Sequence, residues 1–146
     1  MLFRSFALQD EITEAIVAAL KVRLVPDERA AILARPTDNP KAYENYLQAR
    51  YHRAQLGVPN IQIAARLAQQ ALEIDPKLDL AWALLSHTQA QLYLLGLTSD
   101  NGLAAAERAL ALSPNLVEAL AAKGRVLIGL GRLEEAVAIQ IGRAHV

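Results

Sequence analysis

The sequence contains no cysteine, which excludes disulfides, zinc–thiolate sites and a thiol nucleophile. It has no net charge either: fifteen Lys and Arg balance fifteen Asp and Glu. No long-range field therefore steers the chain to nucleic acid or to an anionic membrane. No glycine-rich phosphate cradle of the G-x-x-x-x-G-K-[ST] or G-x-G-x-x-G kind occurs, nor a G-x-S-x-G nucleophile elbow. His52 and His87 have no His or acidic partner at ligand spacing, and His145 lies at the very end. A metal site needs three or four convergent ligands, so neither metal nor cofactor is expected. The acids Asp10, Glu11 and Glu14, and the pair Glu134–Glu135, sit in helix N-terminal regions, where negative charge is favourable and solvated. They offer no pair of carboxylates with divergent environments for acid–base work.

The opening Met1-Leu2-Phe3-Arg4-Ser5 lacks the apolar core and small-residue cleavage site of a signal peptide. Leu80 to Leu97 has no formal charge and is long enough to span a bilayer. However, Ser86, His87, Thr88, Gln89 and Gln91 interrupt it, and burying them in lipid would be costly. A buried helix of a soluble protein is the expectation. With no cysteine, the location expected is cytoplasmic.

What is present is a repeat. Ala71-Leu72-Glu73-Ile74-Asp75-Pro76 returns as Ala109-Leu110-Ala111-Leu112-Ser113-Pro114 at an offset of 38, and Ala81 returns as Ala119 at the same offset. Two helical patterns fit within each period, the signature of a helical repeat array. Helices are expected near 6–24, with Ile12, Ile16, Ala19 and Leu20 on one apolar face, and over Asp27 to Ala34 behind Pro26. Six more are expected near 41–56, 60–74, 79–95, 100–112, 116–129 and 133–139. Asn39 is a natural N-cap and Pro40 a natural first helical residue. Short connections make neighbouring helices antiparallel. The domain reading is a helical linker segment over 1–38 and the array over 39–140.

The array resembles the tetratricopeptide repeat, a helix-turn-helix unit of about 34 residues with the pattern W-x2-L-G-x2-Y, then A-x3-F and P. Leu120, Lys123, Gly124 and Leu127 fall on the W, L, G and Y positions of the last unit, with Gly131 in its turn and Ala136 on its second helix. Lys123 departs from the usual Leu. The middle unit has Trp82, Leu85, Ser86 and Gln89, then Ala106, Ala109 and Pro114. Its extra length falls most simply between Leu94 and Gly102. The first unit has Ala64, Ala68, Ala71 and Pro76 on its second helix. The resemblance implies an all-α fold, a right-handed α-α solenoid of about two and a half repeats.

Two further resemblances concern the ends. Phe6-Ala7-Leu8-Gln9-Asp10-Glu11-Ile12 and Thr37-Asp38-Asn39-Pro40-Lys41-Ala42-Tyr43 are similar to a junction in large bacterial signalling proteins. There, a tetratricopeptide array follows a nucleotide cyclase, a Ser/Thr kinase or a winged-helix regulator. That implies a fragment of such a protein. The tail Ile141-Gly142-Arg143-Ala144-His145-Val146 resembles a translated sequencing-adapter read-through, so 141–146 reads as an artefact.

Arrays of this kind bind partners on a concave face lined by first helices. Carried onto this sequence, that face holds Leu80, Ala83, Leu84, His87 and Gln91, then Glu118, Ala121, Ala122, Arg125 and Ile128. The mixture of apolar residues with a few polar handles suits an extended peptide or a helix. The family's Lys/Asn carboxylate clamp is not reproduced. Arg50, His52 and Arg53, with Tyr46 and Tyr51 close by, form a small basic patch that reads as surface or as one wall of the groove. It is too small for nucleic acid, which needs a broader basic stripe.

The expected function is a protein–protein interaction scaffold within a bacterial signalling protein. The occupant of the groove is a partner segment or another part of the parent chain. The alternatives are the regulatory arm of an adenylate or guanylate cyclase or Ser/Thr kinase, and the effector arm of a winged-helix regulator. The chain itself is not expected to be an enzyme, or to bind nucleic acid or membrane directly. Because the last unit stops before its capping residues, marginal stability and self-association through Leu133, Val137 and Ile139 are expected.

Overall fold

A computed structural model describes residues 2–19 and 36–144. Every regular element among them is an α-helix: α1 (Leu2–Ala19), α2 (Pro40–Ala54), α3 (Val58–Ile74), α4 (Asp79–Leu94), α5 (Leu103–Leu112), α6 (Val117–Gly129) and α7 (Leu133–Ala144). The helix expected over Asp27 to Ala34 lies outside the described residues. Of the six tail residues Ile141 to Val146 read as an artefact, 141–144 continue α7 and the last two lie outside the described residues.

Local chemistry sets the boundaries. Asn39 Oδ1 accepts from the backbone N–H of Lys41 at 3.0 Å and of Ala42 at 3.1 Å, and Pro40 occupies the first turn of α2. Pro59 does the same for α3, which starts two residues earlier than expected. By contrast, α5 starts later than expected because Gly102 takes a left-handed φ of +87°. Asn101 Oδ1 then caps the N–H of Leu103 at 2.9 Å. The connection between α4 and α5 spans 95–102, where the extra length of the middle unit was expected. The connections 55–57 and 130–132 are shorter.

Each helix from α2 to α7 packs on the next in sequence, α4 also packs extensively on α6, and α2 touches α4. The joints are built from alanine. Ala42, Ala49, Ala64, Ala68, Ala71, Ala81, Ala106, Ala109 and Ala119 have no exposed surface. Such small side chains let helix backbones approach closely, while Leu78 and Leu127 fill the remaining volume. Trp82 is partly buried between the two core clusters, and its indole N–H donates to the Pro76 carbonyl at 2.8 Å. The turns are tied to each other as well. Thr37 Oγ1 donates to the Asp75 carboxylate at 2.5 Å, and the Ser113 hydroxyl donates to Asp79. Thr37, Asp75 and Ser113 stand at successive offsets of 38.

Two members of the apolar face expected of the first helix, Ile12 and Ile16, do not pack as a core face; Leu20 and the side chain of Ala19 lie outside the described residues. Ile12 and Ile16 are 52% and 54% exposed. Among the described elements α1 touches α2 alone, where Phe6 meets the Tyr43 ring edge-on at 5.1 Å between centroids. No described helix is long and apolar enough to cross a membrane. Of the polar residues that interrupt α4, Thr88 is fully buried and donates to the carbonyls of Leu84 and Leu85.

Candidate functional site

A concavity of about 460 Å³ opens on α2, α4 and α6. Its floor is α4, the helix that touches both of the others, and contributes Leu80, Ala83, Leu84 and His87. One wall is α2, with Tyr46, Arg50 and Arg53; the other is α6, with Val117, Glu118, Ala121, Ala122 and Arg125. Helical periodicity places these residues together. Tyr46, Arg50 and Arg53 follow i, i+4, i+7, and Val117, Ala121 and Arg125 follow i, i+4, i+8. The repeat does so again: Leu80, Ala83, Leu84 and His87 recur at an offset of 38 as Glu118, Ala121, Ala122 and Arg125.

Of the residues expected to line a groove, Leu84, His87, Glu118, Ala122 and Arg125 meet there, as do Leu80, Ala83 and Ala121. Gln91 and Ile128 do not line it. Gln91 is half-buried, and its Oε1 has no hydrogen-bond partner among the described residues. Ile128 faces solvent. The patch Arg50, His52 and Arg53 divides. Both arginines line the concavity, whereas His52 is turned to the α2–α3 turn, where its Nδ1 donates to Asn60 Oδ1 at 3.0 Å. Val117 was not assigned to the groove from sequence, and Tyr46 was placed only beside the basic patch read as surface or as one wall. Val117 could have been found one helical turn before Ala121, and Tyr46 at an offset of 38 before Leu84.

The electrostatics are one-sided. Arg50, Arg53 and Arg125 are exposed cations, and among the described residues no carboxylate pairs with any of them within 4.0 Å. Glu118 is the single acid of the lining. The Arg50 guanidinium lies over the Tyr46 ring, 5.9 Å from its centroid. Burial raises the Tyr46 phenol above its ordinary value, so it stays a neutral hydroxyl. His87 adds no charge. Burial first, then the neighbouring Arg125 and Arg53, lower its pKa from 6.5 to about 4. Arg125 Nη1 lies 2.5 Å from His87 Nδ1 and 3.1 Å from Nε2. A guanidinium only donates, so the imidazole must offer a lone pair, as its neutral form does. No group of three or more His, Cys, Asp or Glu among the described residues is arranged to hold a metal ion.

No family model matches the chain, so the tetratricopeptide resemblance rests on the residues and spacings themselves. No solved structure matches it. Among curated proteins, the chain is similar to one from Rhizobium meliloti (strain 1021) described as "Putative adenylate cyclase 3", with 37% identity over 81 residues. That stretch is 56% of this chain and 14% of the relative, so the similarity spans about a seventh of the relative's length.

Proposed function

We propose that the chain is a binding module of the tetratricopeptide type, a right-handed α-α solenoid that takes a protein segment in its concave face. The observation that carries this reading is the concavity itself. Alternate helices α2, α4 and α6 share it, and its α4 lining recurs in α6 one repeat later. Helix pairs stacked by small residues leave such a face free of packing duties. No catalytic constellation competes for it. A photo-crosslinking residue at Ala121, inside the concavity, tests the reading against one at the exposed Ala104 on α5. The concave position is expected to give a discrete protein adduct in the source cell and Ala104 none. Equal labelling from both positions refutes it.

A second reading is favoured by the similarity to the adenylate cyclase relative: the module is the regulatory arm of a larger signalling protein and carries no catalytic domain of its own. Sequencing the source locus on both sides of this frame tests it. A cyclase domain upstream makes the module a regulatory arm. A winged helix there makes it the effector arm of a transcription regulator instead, and no further domain would leave a free-standing adaptor.

A further inference from the structure

We infer that the concavity selects an acidic protein segment, whose carboxylates sit between Arg50 and Arg53 on α2 and Arg125 on α6 while its apolar side chains rest on the α4 floor. This deepens the binding-module reading and rests on it. The argument is charge complementarity. Three exposed guanidiniums from two opposite walls flank one floor helix, with no carboxylate partner among the described residues and one acid, Glu118, in the whole lining. In a chain of zero net charge such a local excess is positional. Guanidinium groups pair with carboxylates through two parallel N–H donors, giving direction as well as attraction. The neutral His87 between them accepts from Arg125 Nη1 through one ring nitrogen and leaves the other guanidinium donors free for a ligand. Ala83 and Leu84 supply the apolar contact that a purely ionic site would lack.

Other anionic occupants fit less well. A lipid surface is flat and cannot follow the concave lining down to the α4 floor between the two arginine-bearing walls. A single-stranded nucleic acid needs open aromatic faces to stack on. Tyr46, the aromatic of the lining, is buried and covered by Arg50. A small metabolite needs converging buried polar groups. The buried unpartnered polar atoms, on Ser86, Gln89 and Gln91, all belong to residues outside the lining.

The test is selection of random linear peptides of about twelve residues, displayed on phage, against the folded full chain. Selected peptides are then synthesised and titrated by fluorescence anisotropy on the wild type and on Arg50→Gln/Arg125→Gln. Both arginines are exposed, and circular dichroism confirms that the variant keeps its helices. The expected result is a pool enriched in Asp and Glu. Binding should weaken about tenfold or more in the double variant and recover only in part in Arg50→Lys/Arg125→Lys, which restores the charge without the paired donors. It should also weaken as ionic strength rises from about 0.05 M to about 0.5 M. A neutral or basic pool that binds both proteins equally, yet is lost in the groove-filling Ala121→Trp, overturns the acidic preference and leaves the groove reading standing. A pool indifferent to Ala121→Trp, or no enrichment, overturns both. Displacement of the acidic peptides by oligothymidylate at equal concentration overturns the choice of a protein segment.

Discussion

Gly102→Ala places one methyl group where α5 meets α4. An ideal Cβ there would stand 2.3 Å from the Ser86 carbonyl oxygen, 3.1 Å from its carbon and 3.3 Å from the Ala90 nitrogen. All three are backbone atoms of α4, so no side chain can swing aside; α5 must retreat by about 1 Å to restore ordinary contact. Overpacking of this kind costs about 1–3 kcal/mol. The left-handed backbone at φ +87° adds about 1–2 kcal/mol for a residue with a Cβ. The total, about 2–5 kcal/mol, is a large fraction of a domain stability of order 10 kcal/mol. It corresponds to a fall in Tm of roughly 6–15 °C. Gly96→Ala is the control, because Gly96 has φ +71° but nothing within 4 Å of its Cβ position. It should show the backbone cost alone. Urea unfolding followed by the fluorescence of Trp82, the single tryptophan, reads both variants on the helix concerned. If the two variants unfold within about 0.5 kcal/mol of each other, the close approach of α5 to Ser86 is refuted.

His87 makes stability depend on pH. Its pKa is lowered to about 4 in the fold, chiefly by burial and then by Arg125 and Arg53, so the unfolded chain binds this proton more readily. The stabilisation is complete above pH 6.5 and declines as pH falls towards 4, by about 1–2 kcal/mol after screening; urea midpoints of His87→Gln should lack this slope, and an unchanged slope refutes it. Lys123 departs from the tetratricopeptide pattern in the last unit, with its amine 3.7 Å from Glu107 Oε1 and its side chain partly buried. Lys123→Leu should raise stability by roughly 0.5–1 kcal/mol in the same urea assay, and a loss of that size would show that the pair with Glu107 outweighs burial. Leu133 and Val137, 58% and 55% exposed on successive turns of α7, should drive concentration-dependent association in sedimentation. Leu133→Lys/Val137→Lys should abolish it, and association that survives the double change places the contact elsewhere.

The sequence was most legible where one residue settles a conformation. Asn39-Pro40 set the start of α2, and alanines at an offset of 38, such as Ala71 and Ala109, marked buried helix contacts. It was less legible where tertiary contact decides. Periodicity gave Ile12 and Ile16 an apolar face, but an apolar face names no partner, and among the described elements α1 touches α2 alone. Ile139 looked like a member of the open face of α7, yet it is half-buried, and Ile141, four residues after Val137, is exposed in its place. The error is one of helical phase: i, i+4, i+8 from Leu133 reaches Ile141. The candidate site showed the same division. Residues on α4 and α6 could be carried from one repeat to the next. On α2 the basic patch had been read as surface or as one wall, and the helical phase of Tyr46, Arg50 and Arg53 is what separates its lining members from His52.

This division has a physical cause. At the joints, helix backbones come so close that alanine or glycine is the residue that fits, and the pattern repeats because the geometry repeats. The exposed concave positions carry no such constraint. Leu80 becomes Glu118, Leu84 becomes Ala122 and His87 becomes Arg125 from one repeat to the next, at positions that share one geometry. Packing restricts the buried Leu84 and Ala122 but tolerates many residues at the exposed Glu118 and Arg125. Their charges are therefore free to follow an occupant, which is why the excess of arginine over acid in this face is informative and the balanced charge of the whole chain is not.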